Sequence, residues 1–420
     1  MKWPTVELKN ITTILMGQSP PGESYNETGD GLPFFQGKAE FGEVSPIVMK
    51  WCNKPIKIAE PGDILLSVRA PVGPTNLASQ RCCIGRGLAA IRTHPNVVDQ
   101  DYVRFFFKYY EPLLSRRGQG STFTAISRKD IEELQVPFPP LSEQQRIVEI
   151  LDRADALRRK RAEADRLMER IGPALFIKMF GDPATNPRGW KVSTLVEAGA
   201  SVRYGLGQPP KVSIDGVPLI RATNIHHGTI VEKDLIRVEK ESVPKNRNAF
   251  LLADEVIVVR SGAYTGDVAQ VTDKWAGSVI GYDLVINPGS TFCGEFVEAY
   301  LLTPHIQNNY FDNLKARAGQ PHLNAAQLSA TPVLLPPKEL QLCFAKRMKN
   351  IREMRLRATR MDEAIESLFT LLLHHAFSGE LTAKWREAHQ EKLLAEMEDQ
   401  ARRLESGPVQ LALDEALPVC

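Results

Sequence analysis

From Ser142 to Phe180, apolar residues return every three or four positions, at Ile147, Ile150, Leu151, Ala154, Leu157, Ala164, Leu167, Met168 and Ile171, with charge between them. That spacing is one face of a long helix. Ser142 stands at its N-cap with Gln145 at the capping-box position. Gly172-Pro173 predicts a kink or break, leaving a short second piece to Phe180. A second stripe runs from about Lys338 through Phe344, Met348, Ile351, Met354, Met361, Ile365, Leu368 and Leu372 to Phe377, and predicts a helix of matching length. Ahead of each helix the pattern changes to short β-rich runs, such as Asp63 to Val68 and Glu255 to Val259, bounded by Gly, Pro and Asn. A helical segment then starts at Asp101 in one stretch and at Gly294 in the other, and a polar, Gly-containing loop leads to a diproline.

These likenesses form a repeat with a period of about 197 residues. VPFPPLSEQQRIVEIL from Val136 answers VLLPPKELQLCFAKRM from Val333, so Pro139-Pro140 fall on Pro336-Pro337, Gln144 on Gln341, Leu151 on Met348 and Phe180 on Phe377. Upstream, GDILLSVR from Gly62 answers DEVIVVRSG from Asp254, IGRGLAAI from Ile84 answers IGYDLVI from Ile280, and GQSPP at Gly17 answers GQPP at Gly207. The period is too long for a solenoid unit. It describes two copies of a domain plus a helix, an α+β chain with a pseudo-twofold internal repeat. Two similar mixed α/β domains (1–140 and 183–337) are separated by two long antiparallel coiled-coil helices (141–182 and 338–378), with a C-terminal helix and loosely ordered tail over 379–420. Thirty residues of helix span about 45 Å, and a second helix of that length can return along the first. The stripe Ile147, Leu151, Ala154, Leu157 is expected to bury against Phe344, Met348, Ile351, Met354.

A chain of 420 residues supports two or three domains with ample core. No apolar run is long enough to cross a bilayer, and MKWPTVELKN lacks the apolar stretch of a signal peptide. The six cysteines, Cys82-Cys83 among them, show no CxxC spacing and read as reduced cytosolic thiols. Net charge is only +2; residues 1–140 carry 16 Lys/Arg against 14 acids, and 183–337 carry 14 against 14. Phosphate contacts would therefore depend on local clustering or on a partner's basic surface. No Walker A loop, no GxGxxG after a strand and no Asn/Asp-Pro-Pro-aromatic motif is present. His226-His227 on a strand would face opposite ways, and His374-His375 lie on a packing helix, so neither pair suggests a metal.

PFPPLSEQQRIVEILD followed by FGDP, paired with LLPP and AFSGELT, resembles the specificity subunit of type I restriction–modification systems across essentially the whole chain. The second copy departs from that pattern, with KELQLCFAKRM where the family keeps a Glu-Gln pair. The resemblance implies a non-catalytic cytoplasmic subunit without a cofactor of its own. Two target-recognition domains would each read, in the major groove, one half of a split double-stranded DNA target. The helices would set the distance between halves and dock two methyltransferase subunits, which carry S-adenosylmethionine and methylate one adenine in each half. Nuclease–translocase subunits can join that core, and no membrane is involved.

Loops that differ between copies while their flanks agree are where two domains of one fold would read different words. Arg or Lys suits guanine O6/N7, and Asn or Gln suits adenine N6/N7. The candidates are Gln18, Ser19, Gln36, Lys38, Arg69, Arg116, Arg117 and Gln119 in the first copy. In the second they are Arg203, Tyr204, Arg221, Asn224, His226, His227, Arg260, Lys315, Arg317, Gln320 and His322. Arg69 and Arg260 follow equivalent strands and suit a shared structural or phosphate role. The run Phe105-Phe106-Phe107 suits a core. Two other functions remain open on sequence: a self-contained DNA-modifying enzyme with a degenerate motif, and a coiled-coil adaptor that never touches DNA.

Overall fold

The computed structural model describes residues 3–117, 125–226, 228–312 and 322–414, without the side chains of 117 and 405–414. Two compact units share the chain: Met1–Arg161 with Met361–Cys420, and Ala162–Arg360.

The first unit is built on a four-stranded antiparallel sheet in the order Thr12–Met16, Leu88–Thr93, Ile64–Ser67, Thr75–Leu77. All four residues of Ile64–Ser67 are buried. Alternate side chains of a strand point to opposite faces. Here Ile64 and Leu66 join the aromatic core beneath the helix Gln100–Arg117, while Leu65 joins a smaller cluster with Phe35, Cys82 and Ala90. Two covered faces explain a continuous apolar run in place of an alternating one. Tyr102, Phe105, Phe106 and Phe107 are all at most 1% exposed, so the Phe triplet is core. Both ends of the domain are tied together, because Thr5–Glu7 pairs with Gln135–Pro137 just ahead of the diproline.

The second unit repeats the plan with different residues. Its central sheet runs Ser201–Tyr204, Leu284–Asn287, Val256–Val258, Val268–Gln270. Val256 and Val258 face the helix Gly294–Leu301, and Ile257 faces a second cluster. Val192–Thr194 pairs with Pro332–Leu334, as its counterpart does in the first unit. In each unit one strand crosses in parallel, Phe34 opposite Cys83 and Ile220 opposite Ile280.

The two long helices are Leu141–Phe180, 40 residues, and Lys338–Ser378, 41 residues, about 60 Å each. Both run from one unit into the other. Within the first unit, Arg158 reaches Glu366 at 2.7 Å and Arg161 reaches Asp362 at 2.7 Å. Within the second, Arg355 reaches the Met168 carbonyl at 3.0 Å, and Phe344 packs on Phe176 with ring centroids 5.8 Å apart. Rising numbers meet falling numbers, so the pairing is antiparallel in each.

That direction overturns the expected seam. Ile147 and Leu151, both fully buried, belong to the first unit's core with Phe369, Leu373 and Phe377, whereas Phe344 lies in the second unit's core with Phe176 and Phe180. Ala154 is half-buried against the first core, Met348 packs against the second, and Ile351 is half-buried. Leu157 and Met354 are 63% and 56% exposed. In an antiparallel pair the early turns of one helix face the late turns of the other, so the two stripes cannot meet position by position.

Two local expectations also change. The helix Leu141–Phe180 passes Pro173 without a break. A proline leaves the carbonyl four residues earlier without its N–H. Here that carbonyl, Glu169, accepts instead from Arg355 Nη2 at 3.3 Å. Ser142 is not the N-cap. The helix begins at Leu141, Glu143 and Gln144 donate to the Pro140 carbonyl, and the Ser142 N–H donates to Glu396 Oε2 at 3.1 Å. The carboxylate comes from the C-terminal helix Gln390–Asp414, which extends into the stretch read as a tail and packs on the first core through Leu404.

Candidate nucleic-acid interface

Each domain is fastened to its long helix by the same buried glutamine. Gln144 is fully buried, donates to the Pro139 carbonyl at 2.8 Å and accepts the Asp99 N–H at 2.8 Å. Gln341 does likewise with the Pro336 carbonyl at 3.0 Å and the Cys293 N–H at 3.1 Å. A second fastening has opposite polarity in the two units. In the first, Arg104 and Lys108 on the short helix pair with Asp152 and Asp155 on the long one, at 3.1 and 3.0 Å. In the second, the acids Glu295 and Glu298 stand on the short helix and pair with Arg352 on the long one.

Where the strand Leu88–Thr93 of the first unit's central sheet begins, three candidate loops meet the turn Ile84–Leu88. Gly85 N–H donates to the Phe35 carbonyl at 2.8 Å, Gln18 N–H to the Ile84 carbonyl at 3.1 Å, and Val68 N–H to the Gly87 carbonyl at 2.9 Å. A Cβ at Gly87 would lie 2.3 Å from the Gln36 carbonyl oxygen, so this glycine is required for the close approach. Gln18, Gln36, Lys38, Arg69 and Arg86 are exposed around this floor, and Ser19 is half-buried. Arg116 is exposed at the end of the helix Gln100–Arg117.

The second unit builds the same floor around Ile280–Leu284. Gly281 N–H donates to the Ile220 carbonyl at 2.8 Å, Leu206 N–H to the Ile280 carbonyl at 3.4 Å, and Gly205 N–H to the Asp283 carbonyl at 2.9 Å. The residue answering Gly17 is therefore Gly205, not Gly207. A Cβ at Gly17 would lie 2.2 Å from the Gly85 oxygen and one at Gly205 2.0 Å from the Gly281 oxygen, whereas Gly207 has open space. Asp283, where the first copy has Gly87, accepts the Arg260 N–H at 3.1 Å. Burial pushes its carboxyl up to about 6, against hydrogen bonds from the backbones of Arg260 and Ala222 that favour the anion. Above it the Arg260 guanidinium lies between two exposed rings, 4.1 Å from Tyr282 and 4.8 Å from Tyr204, and reaches His322 Nε2 at 2.8 Å. Arginine only donates, so this histidine nitrogen accepts.

Two of the sequence-proposed readers are spent inside the fold. Arg203 pairs with Glu255, and gives its other N–H groups to the carbonyls of Asn248 and Phe250. It precedes Tyr204 on the strand and so faces the other way. Asn224 is fully buried and holds its own turn, accepting from the Arg221 N–H and donating to the carbonyls of Val231 and Lys233. Arg221 donates to the Asp234 carbonyl, and His226 sits half-buried against Tyr264. Gln119, His227, Lys315, Arg317 and Gln320 lie outside the described residues, as does the Arg117 side chain. Sequence reasoning passed over Arg86 and Tyr282, although IGRG and IGYD already differ there between agreeing flanks.

Among the described residues no three His, Cys, Asp or Glu are gathered as a metal site requires, and no helix is long and apolar enough to cross a membrane. Cys82 and Cys83 are buried, and burial pushes both thiols up to about 12. The long helices keep apolar residues on their surface: Leu157, Met361, Leu368 and Leu371 in the first unit, Leu167, Ile171, Met354 and Leu356 in the second, each 43–67% exposed.

Residues 1–165 match the family model of the type I restriction modification DNA specificity domain. The Methanocaldococcus jannaschii protein assigned as the type I restriction enzyme MjaX specificity subunit is 47% identical over 157 residues, 37% of this chain and 37% of that protein. A second relative from that organism, the MjaIX specificity subunit, is 25% identical over 261 residues, 55% of this chain and 60% of the relative. These two alignments thus span less than two thirds of either relative. The fold extends further. The crystal structure of the type I restriction–modification S subunit from M. genitalium matches with a TM-score of 0.56 at 15% identity, covering 90% of this chain and 96% of that one.

Proposed function

We propose that this chain, whose first 165 residues match the family model of the type I restriction modification DNA specificity domain, is the DNA-recognition and scaffold subunit of a type I restriction–modification complex. It binds a bipartite double-stranded target, one word per unit, without chemistry of its own. The observation that carries this is the duplicated floor. One backbone arrangement, with Gly17 and Gly205 locked against equivalent turns, is surrounded by different exposed side chains. Two copies of one frame with different donors and acceptors are what two different words require.

The exposed apolar stripes on the long helices are the surface on which two methyltransferase subunits would dock, with restriction subunits joining that core. S-adenosylmethionine would be held by the methyltransferase subunits. The test is methylome sequencing of a host expressing this chain with its methyltransferase partner. The expected result is adenine methylation in two short words split by a fixed unread gap. Exchanging residues 1–140 for another family member's first domain should change one word alone. An undivided motif, or a change in both words, would refute the modular reading.

A further inference from the structure

We infer that the turn residue Arg86 in the first unit, with Tyr282 as its counterpart in the second, reads a base in its half of the target, and that Arg86 addresses a guanine. This inference rests on the recognition role proposed above and names which side chain of the floor carries it. The turn is immobilised on both flanks. Gly85 is tied to Phe35, Gly87 receives the Val68 N–H, and Gly87 has no room for a side chain beside Gln36. In the second unit Gly281 is tied to Ile220, and Asp283 receives the backbone of Gly205 and Arg260. Between these locked flanks a single exposed side chain projects in each copy, arginine in one and tyrosine in the other.

The setting favours a reader over a solvated turn residue. The Arg86 side chain makes no hydrogen bond or ion pair among the described residues, so its planar fork retains its donors. It stands on the floor where the loops of Gln18, Gln36 and Arg69 converge. A rigid element holding a two-pronged donor matches the O6 and N7 acceptors of guanine in the major groove. In the second unit the same position is filled by a ring stacked on Arg260, so the two words meet different chemistry at one structural position.

The test replaces Arg86 by Gln and by Lys in the full chain, coexpressed with its methyltransferase partner, and reads the methylated motif. Arg86 is exposed and outside the core, so assembly with the partner, checked by gel filtration, is expected to be unchanged. With R86Q, discrimination for guanine at one position of one word should fall roughly tenfold to a hundredfold, with adenine gaining at that position. The other word and the gap should not change. R86K should retain part of the guanine preference. Both words unchanged would overturn the inference, as would a uniform, salt-dependent loss of methylation without a motif change, which is the signature of a phosphate contact. A wild-type motif that is not bipartite would instead sink the recognition role itself, and this inference with it.

Discussion

Removing the Arg386 guanidinium, which stands on the short helix Ala383–Ala388 ahead of Gln390–Asp414, should loosen these two C-terminal helices from the rest of the first unit. Glu143 is fully buried in the first turn of its long helix, and its carboxylate takes three donors: Trp3 Nε1 at 2.9 Å, Arg386 Nε at 2.8 Å and Thr382 Oγ1 at 2.6 Å. The guanidinium, 12% exposed, also covers the Trp3 ring at 4.6 Å. A buried charge that loses its partner costs about 3–5 kcal/mol, whereas replacing both partners by apolar groups is often near neutral. R386A should therefore lower the melting temperature of this unit by roughly 6–20 °C, at about 2–4 °C per kcal/mol for a unit of 150–250 residues. The double variant E143L/R386A should recover part of that loss, the remainder being the acceptor that Trp3 Nε1 and Thr382 Oγ1 lose. The chain itself supplies the precedent, since Leu340 occupies the position of Glu143 in the second copy and packs on that unit's core. Differential scanning calorimetry of the four members of the cycle, with limited proteolysis between residues 379 and 404, would read the effect. A melting point for R386A within about 2 °C of wild type would refute the reasoning, as would a double variant less stable than R386A.

Leu151→Ala should cost about 3 kcal/mol by opening a cavity in the first core, and Leu157→Ala less than about 0.5 kcal/mol, because the two are 0% and 63% exposed; equal losses in chemical denaturation would count against the observed seam. Arg355→Ala strips the Glu169 carbonyl of the donor that stands in for the N–H Pro173 lacks and should cost about 1–3 kcal/mol. Pro173→Ala should soften that loss by restoring an N–H to Glu169, and the comparison is made by thermal melting. Arg352→Glu would set a third carboxylate beside Glu295 and Glu298 and should destabilise the second unit by several kcal/mol, while E298R/R352E, which adopts the first unit's polarity, should recover much of it. For pH, the Asp283 carboxyl sits at about 6 in the fold against an ordinary 3.8. A raised acid contributes stability below about pH 4 that is lost as pH rises through 6, so Asp283→Asn should flatten the decline measured between those values.

The repeat, the two long helices and the buried Phe105–Phe107 segment were legible because each is a matter of local pattern. A strand with both faces covered is apolar on successive residues, as Ile64–Leu66 and Val256–Val258 are. Gln144 and Gln341 were visible as equivalents, though not as the clamps they are, since their carbonyl partners depend on how the diproline folds back. The reader list was legible only in part. Arg69 and Tyr204 emerged on the surface, but Arg203, adjacent to Tyr204 in sequence, is consumed by Glu255, which stands just ahead of the strand Val256–Val258.

What the sequence determined by itself was periodicity and duplication, because those are properties of consecutive residues and need no partner to be defined. The tertiary structure alone decided which stripe meets which and which polar groups remain available. An apolar stripe reads the same whatever helix lies against it, so only chain direction could send Ile147 to Phe369 and Phe344 to Phe176. A guanidinium is a candidate ligand for any acceptor within about 3 Å. Whether it finds a carboxylate inside the fold, as Arg386 does, or remains exposed on the floor, as Arg86 does, is settled by residues more than two hundred positions away in one case and by two glycines beside it in the other.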